Sequence, residues 1–120
     1  MIIVVGGGRH LTNKKLVWTT LDVIHAADPI TLLVHGDCEG ADHLARDWAE
    51  TRGVPCEGCP ANWYPDGKHL DRSAGPRRNA QMLDTKHPDL VVAFPGGSGT
   101  ADLVNKAKSR GIRRALVEGV

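Results

Sequence analysis

Residues 94–100 read Phe94-Pro95-Gly96-Gly97-Ser98-Gly99-Thr100, and the segments on either side of them decide the fold. The aliphatic run Leu90–Ala93 precedes them and predicts a strand buried on both faces. The segment Ala101–Lys108 follows and predicts a helix that ends at Gly111. A glycine-rich turn between a strand and a helix directs backbone N–H groups outward at the positive end of the helix dipole. This stretch therefore predicts a site for an anion such as phosphate.

The same order of strand, glycine-rich turn and helix occurs twice more along the chain. Ile2–Val5 predicts a strand that ends in Gly6-Gly7-Gly8-Arg9. Thr31–His35 predicts a second strand, which ends in an acidic loop over residues 36–42. Further helices are predicted at about 13–27, 41–51 and 76–86, and further strands at 54–59 and 114–117.

This alternation predicts an α/β fold, namely a single Rossmann-like three-layer α/β/α sandwich with a mainly parallel sheet of about five strands. We expect residues 1–120 to form one domain, because the chain is too short for two cores. Ligands of such folds bind beyond the carboxyl ends of the strands, where all three glycine-rich turns would lie. The turns lack the Gly-Lys-Ser/Thr of a Walker loop and the G-x-G-x-x-G pattern of a dinucleotide dehydrogenase.

The net charge, the apolar runs and the cysteines limit the kinds of partner and the compartment that we expect for this protein. A formal net charge of +1 argues against a broad electrostatic grip on nucleic acid or an anionic membrane. No apolar run approaches the roughly 18 residues of a membrane span, and three cysteines favour a reducing cytoplasm. We expect no cofactor. We also expect no metal site, because Cys56 and Cys59 lie three residues apart on a predicted strand and would point to opposite faces.

Three groups of residues are candidates for binding. The glycine-rich turns predict a nucleotide- or phosphate-binding set at Gly7, Gly8, Arg9, Gly36, Pro95, Gly96, Gly97, Ser98, Gly99 and Thr100. In the acidic loop, Asp37 and Asp42 can accept hydrogen bonds from ribose hydroxyls, although Asp42 can equally cap the following helix.

The third group is Arg77, Arg78 and Asn79, near the start of a predicted helix. The helix dipole disfavours cations there, so the arginines need an explanation, which is either bidentate binding of phosphate or a surface ion pair. The sequence does not show which of the two arginines would bind the phosphate. Trp63 lies in an irregular segment, where it can stack on a base or pack against the fold.

Five stretches in this order resemble the SLOG superfamily, which joins the Smf/DprA proteins to the Lonely Guy phosphoribohydrolases, and within it the YspA/YpsA-related branch of bacteria and phages. The matching stretches are Val5–Arg9, His35–Asp42 with Ala45 and Trp48-Ala49, Pro60–Trp63, Ala74–Asn79 with Met82, and Ala93–Thr100. The resemblance implies a Rossmann-like domain that binds nucleotides or nucleotide-derived signals, commonly as a homodimer or higher homo-oligomer.

The opening stretch is similar to the Lonely Guy motif Pro-Gly-Gly-x-Gly-Thr-x-x-Glu, but Leu103 occupies the position of the catalytic glutamate. Asp102 is adjacent, yet one helical step turns it by about 100°. In that branch an arginine accompanies the glutamate, and Arg77 or Arg78 matches it. This departure weakens the prediction of Lonely Guy catalysis.

The leading hypothesis is a protein that binds a phosphorylated nucleoside or nucleotide-derived small molecule, as a sensor or a sequestering protein. The alternative is an N-glycosidase that cleaves a nucleoside 5′-monophosphate, with Asp37, Asp42 or Asp102 as the candidate catalytic carboxylate. Binding of single-stranded DNA is disfavoured by the net charge and by the size of the chain.

Overall fold

The computed structural model describes residues 1–119 and shows strands and helices in strict alternation. In chain order these are β1 (Ile2–Gly6), α1 (Lys14–Ala27), β2 (Leu32–His35), α2 (Ala41–Arg52), β3 (Cys56–Gly58), α3 (Ala74–Lys86), β4 (Leu90–Ala93), α4 (Ser98–Ser109) and β5 (Arg113–Leu116). The strands form one sheet in the order β3-β2-β1-β4-β5, and every neighbouring pair is parallel. The predicted fold class is confirmed.

Helices cover both faces of the sheet. One core cluster joins Leu21 of α1 and Trp48 of α2 to Ile3, and a second joins Leu83 of α3 and Leu103 of α4 to Val4. Because successive residues of a strand point to opposite faces, Ile3 and Val4 place these two clusters on opposite sides of the sheet. The layers are therefore α1 and α2, the sheet, and α3 and α4.

The order of the strands creates a crevice beside β1. The chain passes from β1 to β2 and β3 through α1 and α2 on one face, and then returns to β4 on the other side of β1 through α3 on the opposite face. At such a reversal the helices that follow the two central strands lie on opposite faces of the sheet, which leaves a ligand crevice at the carboxyl ends of those strands. Gly7-Gly8 follows β1 and Pro95–Gly97 follows β4, so two of the three predicted turns border this crevice.

Three predicted boundaries are wrong in position. Helix α4 begins at Ser98 instead of Ala101, and α3 begins at Ala74 instead of Pro76. The N–H groups of a first helical turn need no partner within the helix, so Ser, Gly, Thr and Pro are tolerated there and the loop-like composition was misleading. Strand β3 is shorter than predicted, since the Val54 N–H bonds the Ala49 carbonyl and closes α2 instead.

No helix within residues 1–119 combines the length and the apolar character that a membrane crossing requires.

Candidate functional site

The crevice beside β1 forms a cleft with a volume of about 860 Å³. This volume lies within the range typical of sites for small molecules. The loops after β1, β2 and β4, the first turns of α2, α3 and α4, and the segment between β3 and α3 form its walls. Of the predicted binding residues, the cleft brings together Gly7, Gly8, Arg9, Gly36, Asp42, Arg78, Asn79, Pro95, Gly96, Gly97, Ser98, Gly99 and Thr100.

Gly8 joins the three glycine-rich loops through its backbone. Its N–H donates to the Pro95 carbonyl oxygen at 2.8 Å, and its own carbonyl oxygen accepts from the Ala41 N–H at 3.1 Å. A Cβ on Gly8 would lie 2.9 Å from that Pro95 oxygen, and one on Gly40 would lie 2.2 Å from the Gly8 oxygen. The loops approach so closely that side chains at these glycines cannot be accommodated.

The first turn of α4 is open to the cleft. Ser98, Gly99 and Thr100 line the cleft, and by helix geometry their N–H groups have no partner within α4. Gly97 is the N-cap, and a Cβ on Gly97 or Gly99 would have no described atom within 4 Å. These N–H groups and the positive end of the helix dipole form a feature, here called the α4 cradle, that suits an anion.

Asp42 supplies a buried carboxylate to the same cleft. The residue is only 5% exposed, and its Oδ2 accepts from the N–H groups of Gly36 at 3.0 Å and Cys38 at 3.3 Å. Asp42 lies in the first turn of α2, where the helix dipole favours a carboxylate, but its Oδ2 accepts from N–H groups of the loop before α2 and not from those of α2 itself. Its Oδ1 is also buried and has no hydrogen-bond partner among residues 1–119. A buried acceptor of this kind is costly unless a ligand or water satisfies it.

Burial raises the pKa of Asp42 from 3.8 to about 6. The Cys38 N–H, the Arg78 charge and the Gly36 N–H oppose this rise in pKa, but the loss of hydration outweighs them. The folded protein therefore holds a proton on Asp42 more tightly than the unfolded chain does. The stabilisation from that proton is complete below pH 3.8 and is lost as the pH rises through about 6.

We predict that Asp42→Asn removes this pH dependence. Between about pH 4 and pH 7 the wild-type free energy of unfolding should fall relative to the variant by up to roughly 3 kcal/mol. The asparagine Oδ1 can still accept from the Gly36 and Cys38 N–H groups, so the loop should remain in place. Urea unfolding of both proteins across this pH range measures the difference, and parallel pH profiles would contradict the assignment to Asp42.

Asp37 and Arg77 lie outside the cleft lining. The Asp37 carboxylate pairs with His43 Nε2 at 3.0 Å on the surface, and its backbone has a positive φ of 55°. Arg77 pairs with Asp71 and donates to the Ser73 hydroxyl oxygen at 2.8 Å. Arg77 thus has the surface ion pair that the sequence analysis left as one alternative.

Arg78 is the arginine that reaches the cleft. Its Nη1 donates to the carbonyl oxygens of Gly36 at 2.6 Å and Cys59 at 3.2 Å. The guanidinium lies against Gly36, where an added Cβ would be 2.6 Å from the arginine Cζ. Arg78 therefore braces the loop after β2 and also brings positive charge near Asp42.

Asp102 lines the cleft, but its carboxylate is already bound. Asn79, which is 4% exposed, donates from Nδ2 to Asp102 Oδ2 at 3.1 Å and to the Gly99 carbonyl oxygen at 3.2 Å. Lys106 pairs with the other oxygen of Asp102. The neighbouring Leu103 is 2% exposed and packs in the core, with its Cδ2 2.6 Å from the position of a Cβ on Gly6. Of the three candidate catalytic carboxylates, Asp42 alone combines burial, a place in the lining and an unpartnered oxygen.

The sequence analysis did not assign the wall formed by the segment between β3 and α3. Trp63, Leu70 and Arg72 of this segment line the cleft. Their contribution could not be read from the sequence because the segment has no periodic pattern, and only the aromatic residue hinted at it. Trp63 packs its ring edge against Gly75, as the packing alternative predicts, and it also lines the cleft.

The cysteines do not form a cluster. Cys56 packs with the cluster under α1 and α2, and Cys59 packs with the cluster under α3 and α4. The two side chains therefore lie on opposite sides of the sheet, as their spacing predicts. Within residues 1–119, no group of three or more His, Cys, Asp or Glu side chains is placed to hold a metal ion.

The chain is similar in sequence to a known protein family and to a phage protein. Residues 1–64 match the model of the YspA, cpYpsA-related SLOG family. The Gene 61 protein of Mycobacterium phage D29 is 32% identical over 118 residues, which cover 92% of this chain and 90% of that protein.

Two solved structures share low sequence identity with the chain. A protein from Listeria monocytogenes, provisionally described as a UDP-N-acetylglucosamine 2-epimerase, has a TM-score of 0.54 at 11% identity; the match covers 97% of this chain and 30% of that one. For glycinamide ribonucleotide transformylase 1 from Symbiobacterium toebii the TM-score is 0.47 at 18% identity, over 77% of this chain and 39% of that one. The chain thus spans less than half of either protein, and the first likeness concerns the fold alone.

Proposed function

The chain belongs to the YspA, cpYpsA-related SLOG family, and on that premise we propose that it binds a phosphorylated ribonucleoside or a related nucleotide. The phosphate would occupy the α4 cradle, and Asp42 would accept a hydrogen bond from a ribose hydroxyl. A protein that holds such a ligand without changing it can act as a sensor or can sequester a signal nucleotide.

The unpartnered Oδ1 of Asp42 is the observation that carries this proposal. A helix N-terminus by itself accepts any small anion. A buried carboxylate oxygen in the same cleft adds a demand for a hydrogen-bond donor, and the inorganic phosphate dianion carries only a single O–H. The cleft of about 860 Å³ also has room for more than a phosphate. A ligand that carries both an anionic group and hydroxyl donors can bind the α4 cradle with the first and Asp42 Oδ1 with the second.

Calorimetric titration with adenosine 5′-monophosphate (AMP) tests the proposal on two matched variants. Asp42→Asn should weaken binding by about 10- to 100-fold, because a charge-assisted hydrogen bond contributes roughly 1.5–3 kcal/mol. Asp37→Asn makes the same chemical change five residues earlier, outside the cleft lining, and should leave the affinity unchanged. Equal affinities for wild type and Asp42→Asn would refute the proposed role of Asp42.

An N-glycosidase is the second candidate function, and the raised pKa of Asp42 favours it. In that reaction a water oxygen bonds to the ribose C1′ as the C1′–N bond breaks, the carboxylate accepts the proton of the water, and the departing base takes up a proton. The products are free base and ribose 5-phosphate. Leu103 offers no second carboxylate at the position of the Lonely Guy glutamate, so Asp42 would act alone.

Chromatography after incubation with AMP separates the two functions. Release of adenine and ribose 5-phosphate that is lost in Asp42→Asn would establish the glycosidase. Saturable binding with no product would establish the binding protein.

A further inference from the structure

We propose that Trp63 forms a stacking wall for the base of the ligand, which makes the ligand a nucleotide instead of a simple sugar phosphate. This inference deepens the proposed function and rests on it. It concerns the wall of the cleft formed by the segment between β3 and α3, whose contacts with the ligand the proposed function does not specify.

The indole of Trp63 is held at its edge and lines the cleft. A Cβ on Gly75 would lie 2.8 Å from the indole Cη2, so the ring edge sits against the first turn of α3 where only glycine fits. The backbone is fixed as well, because the Asp71 N–H donates to the Trp63 carbonyl oxygen at 2.6 Å. Trp63 remains partly exposed and lines the cleft. A rigidly placed aromatic face is suited to stacking.

A planar group already occupies that face. The Arg9 guanidinium lies over the Trp63 ring, with its Cζ 5.2 Å from the ring centroid. Because Arg9 also lines the cleft, this cation–π contact indicates that a flat group in the cleft can lie against the indole. A base that takes this place must displace the guanidinium. Arg9 follows Gly8, and the Gly8 N–H is hydrogen-bonded to the Pro95 carbonyl oxygen in the loop before the α4 cradle. The displaced guanidinium therefore stays near the expected phosphate.

Leu70 extends the same wall with apolar surface. It is 51% exposed although it is a large aliphatic residue, and it lines the cleft with Trp63. A base stacked on Trp63 would cover part of this exposed surface, whereas a sugar phosphate would leave it in water. The aromatic face and the aliphatic side chain both favour a flat, largely apolar group at this end of the cleft.

Parallel titrations with AMP and ribose 5-phosphate test the inference, because ribose 5-phosphate has the same phosphate but carries a hydroxyl where AMP carries the base. Wild type should bind AMP more tightly than ribose 5-phosphate by about 5- to 150-fold, the range expected for one stacked base. Trp63→Leu should remove most of that difference and leave the affinity for ribose 5-phosphate unchanged. Trp63→Phe keeps a ring and should retain part of the difference, and it serves as the second variant if the leucine protein does not fold.

Trp18→Phe provides the control, since Trp18 packs at α1 outside the cleft lining and should not affect either ligand. Equal wild-type affinities for AMP and ribose 5-phosphate would overturn the stacking wall and leave phosphate binding intact. An equal loss for both ligands in the Trp63 variants would show a structural role only. Absence of binding by either ligand would overturn the proposed function and this inference together.

Discussion

Replacing Gly97 with aspartate is expected to abolish binding of AMP while leaving the fold intact. Gly97 is the N-cap of α4, and a Cβ there would meet no described atom within 4 Å. Aspartate is a preferred N-cap residue, so its carboxylate should accept hydrogen bonds from the first turn of α4 and occupy the α4 cradle itself. Like charges held this close cost several kcal/mol. We expect the affinity to fall by at least about 100-fold.

Ala101→Asp is the matched control for Gly97→Asp. Ala101 is an exposed residue of the first part of α4, and it does not line the cleft. Its aspartate changes the net charge and the helix dipole interaction in the same way, but the added carboxylate lies outside the α4 cradle. Titration with AMP should therefore show a near wild-type affinity for Ala101→Asp. Wild-type affinity in Gly97→Asp would place the phosphate elsewhere.

Gly40→Ala should destabilise the protein more than alanine at any other glycine discussed above. Gly40 has a φ of 80°, which costs a residue with a Cβ about 1–2 kcal/mol. The added Cβ would also lie 2.2 Å from the Gly8 carbonyl oxygen, a backbone atom that is fixed by the Ala41 N–H. Overpacking adds roughly 1–3 kcal/mol. Together we expect about 2–5 kcal/mol, measured by urea unfolding.

Gly53→Ala separates the two causes. Gly53 ends α2 with a similar φ of 69°, but a Cβ there would meet no described atom within 4 Å. Its substitution should cost only the backbone strain of about 1–2 kcal/mol. If both variants lose the same stability, the close contact between the loops after β1 and β2 contributes nothing.

The fold could be predicted because its pattern is local. Each central strand is a short aliphatic run with a glycine at its end or within the next three residues, so the alternation of strands and helices can be recognised in the sequence. The errors occur where two kinds of structure share a composition. Ser98-Gly99-Thr100 reads as a loop, yet these residues form the first turn of α4, where unpaired N–H groups are normal.

The loops that form the cleft could be predicted from the sequence, but the side chains that line it could not. In the sequence, Asp37 and Asp42 are both candidates for a contact with the ligand, and only the structure shows which of them lines the cleft. Asp42 lies in the first turn of α2, and helical side chains lean toward the N-terminus, so its carboxylate reaches the Gly36 and Cys38 N–H groups. Asp37 instead lies in the loop before α2 and pairs with His43 on the surface.

The two arginines differ for a related reason. Arg77 and Arg78 are neighbours on α3 and are turned about 100° from each other. That rotation directs Arg77 to Asp71 and Arg78 to the loop after β2. Sequence alone gives the spacing of such a pair, but the choice between them depends on which face of α3 packs against the sheet.

Backbone amide NMR during titration with AMP tests the central claim most directly, because it reports where the ligand lies. The account predicts the largest shifts at the N–H groups of Gly97, Ser98, Gly99 and Thr100, with a second group at Gly36 and Cys38 beside Asp42. These shifts should disappear in Gly97→Asp and persist in Ala101→Asp. Shifts confined to surface residues away from the cleft, or no saturable shifts at all, would contradict the claim that this cleft binds a nucleotide.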